Sequence, residues 1–534
     1  MKGDVLTSAD LALIGGNILT MNYSQPTAKA VAIKGDRIIK VGTDDEIRQL
    51  FGKTTRVVQL NGKTVVPGFI DAHIHVVDYG QLLNWLDLSD ARSIMELQKL
   101  LIARVAKSPK GKWLMGHGLD LSHFAEKRLL NRSILDSVSP DNPVVIYYKS
   151  GQACIVNSKA LDLANVTPTT SVPQNGAIDK DAKTGEPTGI LRDKATNLVW
   201  SVIPEPSKKE LIEASSLACS KIVEAGITSV HWMVLAPIEI SIIQKLYAKD
   251  KLPHRVYVVV PVNLVDKIAC LRSTADSVIT VGGVVISADG YLAAKTASLF
   301  EPYADGSENG KLLYTSDEMK TLATRILNMG LQLVIHAMGD KAIDAALTTI
   351  EEISEEASQK APRNRIEQAA VLNEGLISRI KRKDVIVSVQ PRVAASEFSV
   401  WSALENLGSE RSRWLYPLET LLKNGILIIG GSDCPMEPLN PLLGIQAAVT
   451  REAFPEERVT IDEALRMYTI GAACSSDEEN IKGSVETGKL ADLTVLSDDP
   501  KKVLPSEIDN IKVEMTIVGG RVVYSKIDTQ ERIS

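Results

Sequence analysis

Short runs of alternating apolar and polar residues occupy both ends of the chain, and tight-turn residues separate them. Near the N-terminus this pattern predicts strands over residues 11–21, 28–33, 37–41, 56–60 and 63–66. A helix over residues 44–51, capped by Thr43 or Asp44, interrupts them. Near the C-terminus the pattern predicts strands over residues 493–496, 513–518 and 521–524. Because a short sheet needs a partner face to bury a stable core, we predict that residues 1–66 and 483–534 jointly form one β-sandwich.

Between the two ends, apolar strands alternate with amphipathic helices, which is typical of a parallel α/β architecture. Strand and helix pairs are predicted at residues 227–232 and 238–248, 334–336 and 341–357, and 426–429 and 440–451. The length of this region, residues 67–482, suits an eight-fold (β/α)8 TIM barrel. Residues from about 80 to 200 carry extra helices and a hairpin over residues 178–191. We expect this segment to be an insertion that covers the barrel mouth.

Composition narrows the class of protein. Apolar residues make up 44% of the 534 residues and charged residues 24%, an ordinary soluble mixture. A net charge of −6 provides no basic surface for nucleic acid, and no apolar run reaches the ~18 residues that span a bilayer. The five cysteines form no Cys-x-x-Cys pair, and the N-terminus does not resemble a secretory signal. We therefore expect a cytoplasmic protein with a small-molecule partner, either monomeric or a homo-oligomer.

Candidate chemistry begins at His73 and His75. On a strand these side chains point to the same side, about 6–7 Å apart, where two neutral imidazoles can hold a divalent transition metal such as zinc. A bare His-x-His is more often a pair of satisfied histidines near a sheet. Pro67-Gly68 interrupts the secondary structure directly before an apolar strand, as expected where one domain ends and the first strand of another begins. This context favours the metal site here.

Sequence motifs along most of the chain resemble the amidohydrolase superfamily, most closely the branch that includes the N-substituted formamide deformylases. They include VVPGFIDAHIH (65–75), ADGYLAAKTASLFEPYADG (288–306), LVIHAMGDKAI (333–343), RIEQAAVL (365–372), SVQPR (388–392) and GGSDCPMEPLNPLLGI (430–445). The resemblance implies a distorted (β/α)8 barrel with metal at the C-terminal mouth of its strands, and a composite β-sandwich.

The resemblance also implies a metal-ligand set, His73, His75, His336 and Asp433, from the first, fifth and eighth barrel strands. Two further positions depart from the pattern of many relatives. Val285 stands where they have a carboxylated lysine, and Gln368 stands where they have a histidine. Because both missing ligands serve a second metal, the pattern predicts one divalent transition metal, with zinc as the first choice.

Three residues are candidates for catalysis: Asp433, Gln368 and His231. Asp433 would accept a proton from metal-activated water and pass it to the leaving amine. Without the two histidines, an aspartate here would be interpreted as a turn or helix-capping residue; with them, a ligand is favoured. Gln368 would contact substrate or satisfy a buried backbone group. His231, at the end of the strand over residues 227–232, is a candidate replacement for the missing proton shuttle.

Three functions follow from these residues. The first is metal-dependent hydrolysis of a carbon–nitrogen bond in a small, non-peptide amide-type substrate. The second is a catalytically impaired relative that binds a small molecule or serves a regulatory role, because the lysine and histidine are absent. The third is an esterase or lactonase on the same fold, because barrel loops rather than the fold decide the substrate.

Overall fold

The computed structural model describes residues 8–126, 130–268, 278–306, 308–356 and 362–527. Its contacts divide the chain into two compact units, one of residues 1–79 and 215–534 and one of residues 80–214. The second unit overlaps the segment that we expected to be an insertion. Its placement over the barrel mouth stays a prediction.

A four-stranded and a six-stranded sheet lie in the first unit, outside the barrel. The four-stranded sheet contains, in spatial order, Arg37–Gly42, Ala30–Lys34, Leu11–Ile14 and Arg56–Gln59. The six-stranded sheet contains Arg521–Ser525, Val513–Val518, Leu493–Leu496, Thr64–Pro67, Asn17–Leu19 and Thr27–Ala28. Strands from both chain ends therefore pair within one sheet. The boundaries of a separate sandwich domain stay a prediction.

Both terminal sheets bury one common hydrophobic cluster. Leu13 and Val31 from the four-stranded sheet pack in it with Val65, Leu493 and Ile517 from the six-stranded sheet. Shared burial explains why neither short sheet needs to be stable alone.

The predicted strand over residues 11–21 is two strands that belong to different sheets. Gly15 has a φ of +70°, and a side chain on Gly16 would collide with Leu60, so the chain turns at these glycines. The predicted helix over residues 44–51 is shorter, Asp44–Arg48, and the Thr43 side chain caps it by accepting from the Glu46 amide.

Eight parallel strands form a nearly closed barrel in the first unit, and their spatial order is their order along the chain. They are Phe69–Ile74, Ile227–Met233, Arg255–Pro261, Ile279–Ser287, Gln332–Ala337, Arg365–Gln368, Ile386–Val389 and Ile428–Gly430. The first and last strands approach each other through a parallel bridge between Ile74 and Cys434. The predicted (β/α)8 barrel is confirmed.

Helices follow most barrel strands, as the alternating pattern predicts. In the first unit and at its borders they are Val76–Leu83, Lys208–Glu224, Pro237–Ala248, Ser316–Asn328, Asp340–Glu356, Glu374–Arg382, Pro391–Ser399, Ala403–Ser412, Leu418–Lys423, Pro441–Thr450, Ile461–Met467 and Ile470–Cys474. Within the described ranges, none of the helices combines the length and the apolar character needed to cross a bilayer.

The unit of residues 80–214 has its own six-stranded sheet. In spatial order its strands are Gly176–Lys180, Pro187–Asp193, Ala153–Val156, Val144–Tyr148, Leu114–Leu119 and Leu86–Asp87. Its α-helices are Ile94–Val105, Arg132–Asp136, Ser158–Leu163 and Asn197–Trp200. The first two sheet strands pair antiparallel, which confirms the hairpin predicted near residues 178–191.

Candidate metal centre

Three side chains from the two ends of the barrel sheet meet at one point. The Nε2 atoms of His73 and His75 lie 3.5 Å and 3.3 Å from Oδ1 of Asp433. The two imidazole rings stand nearly perpendicular, with centroids 5.2 Å apart. Within the described residues, these three form a group whose potential ligand atoms all lie within 4.8 Å of one another. Two imidazole nitrogens and one carboxylate oxygen are donors that zinc commonly takes in catalytic sites.

Backbone hydrogen bonds hold this group together. His73 and His75 share a side of the first strand because strand side chains alternate. The Asp433 amide donates to the His73 carbonyl oxygen at 2.8 Å, and the His75 amide donates to the Cys434 carbonyl oxygen at 2.9 Å. Gly431 permits the close approach, since a Cβ there would lie 2.7 Å from the His73 nitrogen. The contact between the first and last strands thus fixes Asp433 against both histidines.

Asp71 links the first barrel strand to the segment that carries Asp433 through two hydrogen bonds. Its Oδ1 accepts from the His73 amide at 3.1 Å and from the Ser432 amide at 2.9 Å. Burial raises the pKa of Asp71 to about 6, against the effect of these hydrogen bonds. We did not single out this residue from the sequence, although an acidic residue inside an apolar strand is a recognisable signal.

Glu367 supports His73 from the side opposite Asp433. Its Oε2 lies 2.9 Å from Nδ1 of His73, and both side chains are buried. Burial opposes ionisation of Glu367, but the charges of Arg365 and His73 outweigh it and lower the pKa of Glu367 to about 2. As a carboxylate Glu367 accepts the Nδ1 proton of His73, so Nε2 is the nitrogen that would face a metal.

Glu367 was not identified from the sequence, because in the Arg-Ile-Glu-Gln motif only Gln368 was considered as a site residue. The alternation of side chains along a strand could have identified Glu367. Arg365 and Glu367 share a strand face, and they form a fully buried ion pair. An acid and a base two residues apart on a buried strand indicate a charged network inside a barrel.

His336 is the penultimate residue of the fifth strand, Gln332–Ala337, and is not one of the three members of this group. It is 9% exposed, and neither ring nitrogen has a hydrogen-bond partner. Burial, together with the charge of His73, lowers the pKa of His336 to about 4, so the ring is neutral and keeps a lone pair. Its assignment as the fourth metal ligand stays a prediction.

A cavity of about 670 Å³ opens beside His336. Tyr291, Lys295 and Lys311 line it, and the Tyr291 ring lies 5.4 Å from the His336 ring. Asp289 also lines it, but its carboxylate accepts from the amides of Ser298, Met338 and Gly339. Asp289 therefore holds the loop after the fourth strand in place.

Val285 and Gln368, the two positions that depart from the pattern of many relatives, make contacts of different kinds. Val285 packs on an apolar cluster, Met233, Tyr257, Val259 and Val334. Gln368 is buried, with a φ of +69°, and its Oε1 accepts from the Tyr416 hydroxyl at 3.1 Å. Valine offers no ligand atom, and the amide oxygen of Gln368 is already engaged.

His231 lies in a buried network rather than in the three-residue group. Its Nδ1 lies 2.8 Å from a guanidinium nitrogen of Arg365, and its ring lies 4.7 Å from that of Tyr257. Burial and the Arg365 charge lower the pKa of His231 well below its ordinary value, so it accepts a hydrogen bond from Arg365 as a neutral ring. His231 contacts Arg365, Arg365 pairs with Glu367, and Glu367 contacts His73.

The observed donors fit a divalent metal. Three ligand atoms converge, the two nitrogens of His336 and Nδ1 of His75 are buried without partners, and a carboxylate orients His73 from behind. Buried polar atoms usually have hydrogen-bond partners. Several buried imidazole nitrogens without such partners are therefore what a set of metal ligands is expected to offer.

Comparisons with known proteins identify the family to which the chain belongs. The sequence pattern of the amidohydrolase family matches residues 56–524. Bacillus subtilis YtcJ, whose name places it among amidohydrolases, is 33% identical and covers 96% of this chain and 99% of its own. The N-substituted formamide deformylase of Arthrobacter pascens is 29% identical and covers 97% and 98%. The crystal structure of an uncharacterized metal-dependent hydrolase from Pyrococcus furiosus aligns with a TM-score of 0.74 at 30% identity, covering 92% of this chain and 100% of its own. The chain belongs to the amidohydrolase family.

Proposed function

We propose that this protein is a metal-dependent hydrolase that cleaves a carbon–nitrogen bond, other than a peptide bond, in a small amide-type substrate. The observation that carries the proposal is the convergence of His73 and His75 Nε2 on Oδ1 of Asp433. Similarity along nearly the whole chain to an N-substituted formamide deformylase supports the choice of a carbon–nitrogen bond. A cytoplasmic location and a homo-oligomeric state stay predictions.

His73, His75 and Asp433 would hold one divalent transition metal, preferably zinc, with His336 as the fourth ligand. When bound, such an ion supplies Lewis-acid chemistry that activates a water molecule near neutral pH. A single ion is favoured because Val285 and Gln368 replace the residues that would hold a second one.

The remaining chemistry belongs to the side chains. Oδ1 of Asp433 faces the two imidazoles, which leaves Oδ2 to accept the proton of the attacking water and to return it to the leaving nitrogen. Gln368 has its Oε1 fixed by Tyr416, so its Nε2 would donate to the substrate carbonyl. Glu367 keeps the Nδ1 proton on His73. We assign His231 to the support of Arg365 rather than to proton transfer, because Arg365 occupies its Nδ1.

The test joins metal content with a substrate panel. Elemental mass spectrometry of the purified protein should find about one transition metal per chain, and the His73→Ala variant should lose it. The panel should contain N-substituted formamides, other small amides, and matched esters and lactones. Hydrolysis of amides that disappears in His73→Ala supports the proposal, and preference for the esters would replace it with the esterase alternative.

A second candidate function rests on one specific observation. Val285 and Gln368 deprive the site of a bridging ligand and of a titratable group on the sixth strand. A protein that binds metal and small amides but turns none of them over would be a catalytically impaired relative with a binding or regulatory role. Absence of metal after purification and zinc supplementation would favour the same conclusion.

A further inference from the structure

Gln390 directly follows the seventh barrel strand and has an unusual environment. Its side chain is fully buried, and neither Oε1 nor Nε2 has a hydrogen-bond partner. Within the described ranges, His336 of the candidate metal centre is the other residue with two such atoms. A carboxamide offers two donors and an acceptor, and burying them unpaired is costly. Such a group in a native fold calls for an explanation.

The backbone places Gln390 at the barrel mouth. Ser388, two residues earlier, accepts from Arg365 at 3.1 Å within the barrel interior. Gln390 is still extended, with φ −118° and ψ 93°, so it shares the face of Ser388 and lies one layer nearer the C-terminal ends of the strands. That layer is where barrel enzymes bind substrate.

Gln390 stands between two strands that lead to the candidate site. On one side the Gly431 amide donates to the Val389 carbonyl oxygen at 3.1 Å, and Asp433 follows two residues later. On the other side the seventh strand pairs with the sixth, which ends at Gln368. Gln368 has its amide oxygen engaged by Tyr416, whereas both polar atoms of Gln390 are free.

A purely structural task for the side chain finds no support in its contacts. The Gln390 carbonyl oxygen accepts the Ala394 amide at the start of the helix Pro391–Ser399, but the side chain makes no capping bond. Folding therefore requires a side chain of similar size at position 390 but does not require its carboxamide.

We propose that Gln390 is a specificity-determining residue that recognises an amide edge of the substrate, that is, an N–H and a C=O on the same side of the bound molecule. Oε1 accepts an N–H, and Nε2 donates to a C=O that lies on the same side of the bound molecule. Primary carboxamides, lactams and cyclic ureides present such an edge, whereas N-alkylated lactams and esters lack its N–H. The inference rests on the proposed function, since it takes the barrel mouth as the substrate site.

The test measures binding without turnover. The full-length protein, as purified and after chelation of its metal, is titrated with 2-pyrrolidinone and with N-methyl-2-pyrrolidinone, and ligand-observed NMR reports binding. The variant is Gln390→Met, which keeps the length of the side chain and removes the carboxamide. The matched control is Gln25→Met, because the Gln25 side chain is exposed.

We expect wild type and Gln25→Met to bind 2-pyrrolidinone about tenfold or more tightly than its N-methyl analogue. In Gln390→Met this ratio should fall to near one, while the melting temperature stays equal or rises because two unpaired buried groups are gone. Equal binding of the two lactams by wild type, or no binding of either, would overturn the inference. So would a Gln390→Met protein that melts lower and keeps the ratio, which would mark a structural role.

Failure of this test and failure of the proposed function are distinguishable. Lactam binding to chelated protein requires neither a metal nor hydrolysis. Discrimination between the lactams without turnover of any amide would keep the role of Gln390 and remove the hydrolase. Turnover of amides with no lactam discrimination would do the reverse.

Discussion

Oε2 of Glu367 lies 2.9 Å from Nδ1 of His73, although 294 residues separate the two along the chain. Glu367 also pairs with Arg365, and Arg365 donates to His231. The first candidate ligand is thus held by a buried chain of charged and polar groups that runs across the barrel interior. A carboxylate behind a ligating histidine fixes its tautomer and increases the basicity of the nitrogen that faces the metal.

Replacing Glu367 with glutamine should weaken both the metal site and the fold. We expect Glu367→Gln to lose about 10- to 100-fold in metal affinity, because an amide supports the His73 Nδ1 proton less well. It should also lower the free energy of unfolding by about 3–5 kcal/mol, since the buried Arg365 charge loses its partner. Metal titration and urea unfolding measure the two effects. Glu410→Gln, at an exposed position, is the control and should change neither.

Asp433→Asn should separate binding of substrate from chemistry. Asparagine keeps the shape of the side chain but cannot accept and return a proton, so we expect a loss of about 10²- to 10⁴-fold in kcat. The measurement is steady-state hydrolysis of the best amide found in the panel, which gives kcat and KM separately, at equal metal loading. Wild-type kcat in this variant would contradict the role that we assign to Asp433.

Removal of the metal should lower the melting temperature of the protein. A ligand that binds only the folded state stabilises it by about 2.7 kcal/mol when present at 100 times its Kd. Chelation should therefore shift the thermal transition downward, and zinc should restore it. His75→Ala should melt at one temperature with and without chelator; an equal chelator effect on both proteins would place the metal elsewhere.

Glu397 should make stability depend on pH. It is 2% exposed and its Oε2 has no hydrogen-bond partner, and this burial raises the pKa of Glu397 from 4.5 to about 7. The folded state therefore holds the proton more tightly than the unfolded chain. The stability that results is complete below about pH 4.5 and disappears as the pH rises through about 7.

Glu397→Gln should remove this dependence. At roughly 1.4 kcal/mol per pKa unit, the variant should gain about 3 kcal/mol relative to wild type between pH 4.5 and pH 8.5. Urea unfolding at these two pH values gives the difference, with Glu410→Gln as the exposed control. A difference between variant and wild type that stays constant with pH would show that Glu397 is ionised in the folded protein across this range.

The amino-acid sequence determined the features that depend on local periodicity. Alternation put His73 and His75 on one side of a strand, and the succession of strands and helices predicted the barrel. Family motifs pointed to Asp433, which the structure brings to both histidines. The sequence also marked Val285 and Gln368 as departures, because those positions can be read one residue at a time.

Only the tertiary structure decided which groups touch across the barrel. The contact of Glu367 with His73, the placement of His231 behind Arg365 and the unpaired carboxamide of Gln390 all depend on strand register and on the approach of the first strand to the last. Local periodicity fixes the face on which a side chain lies but not the layer it occupies or the side chain opposite. Those follow from hydrogen bonding between strands that are far apart in the chain.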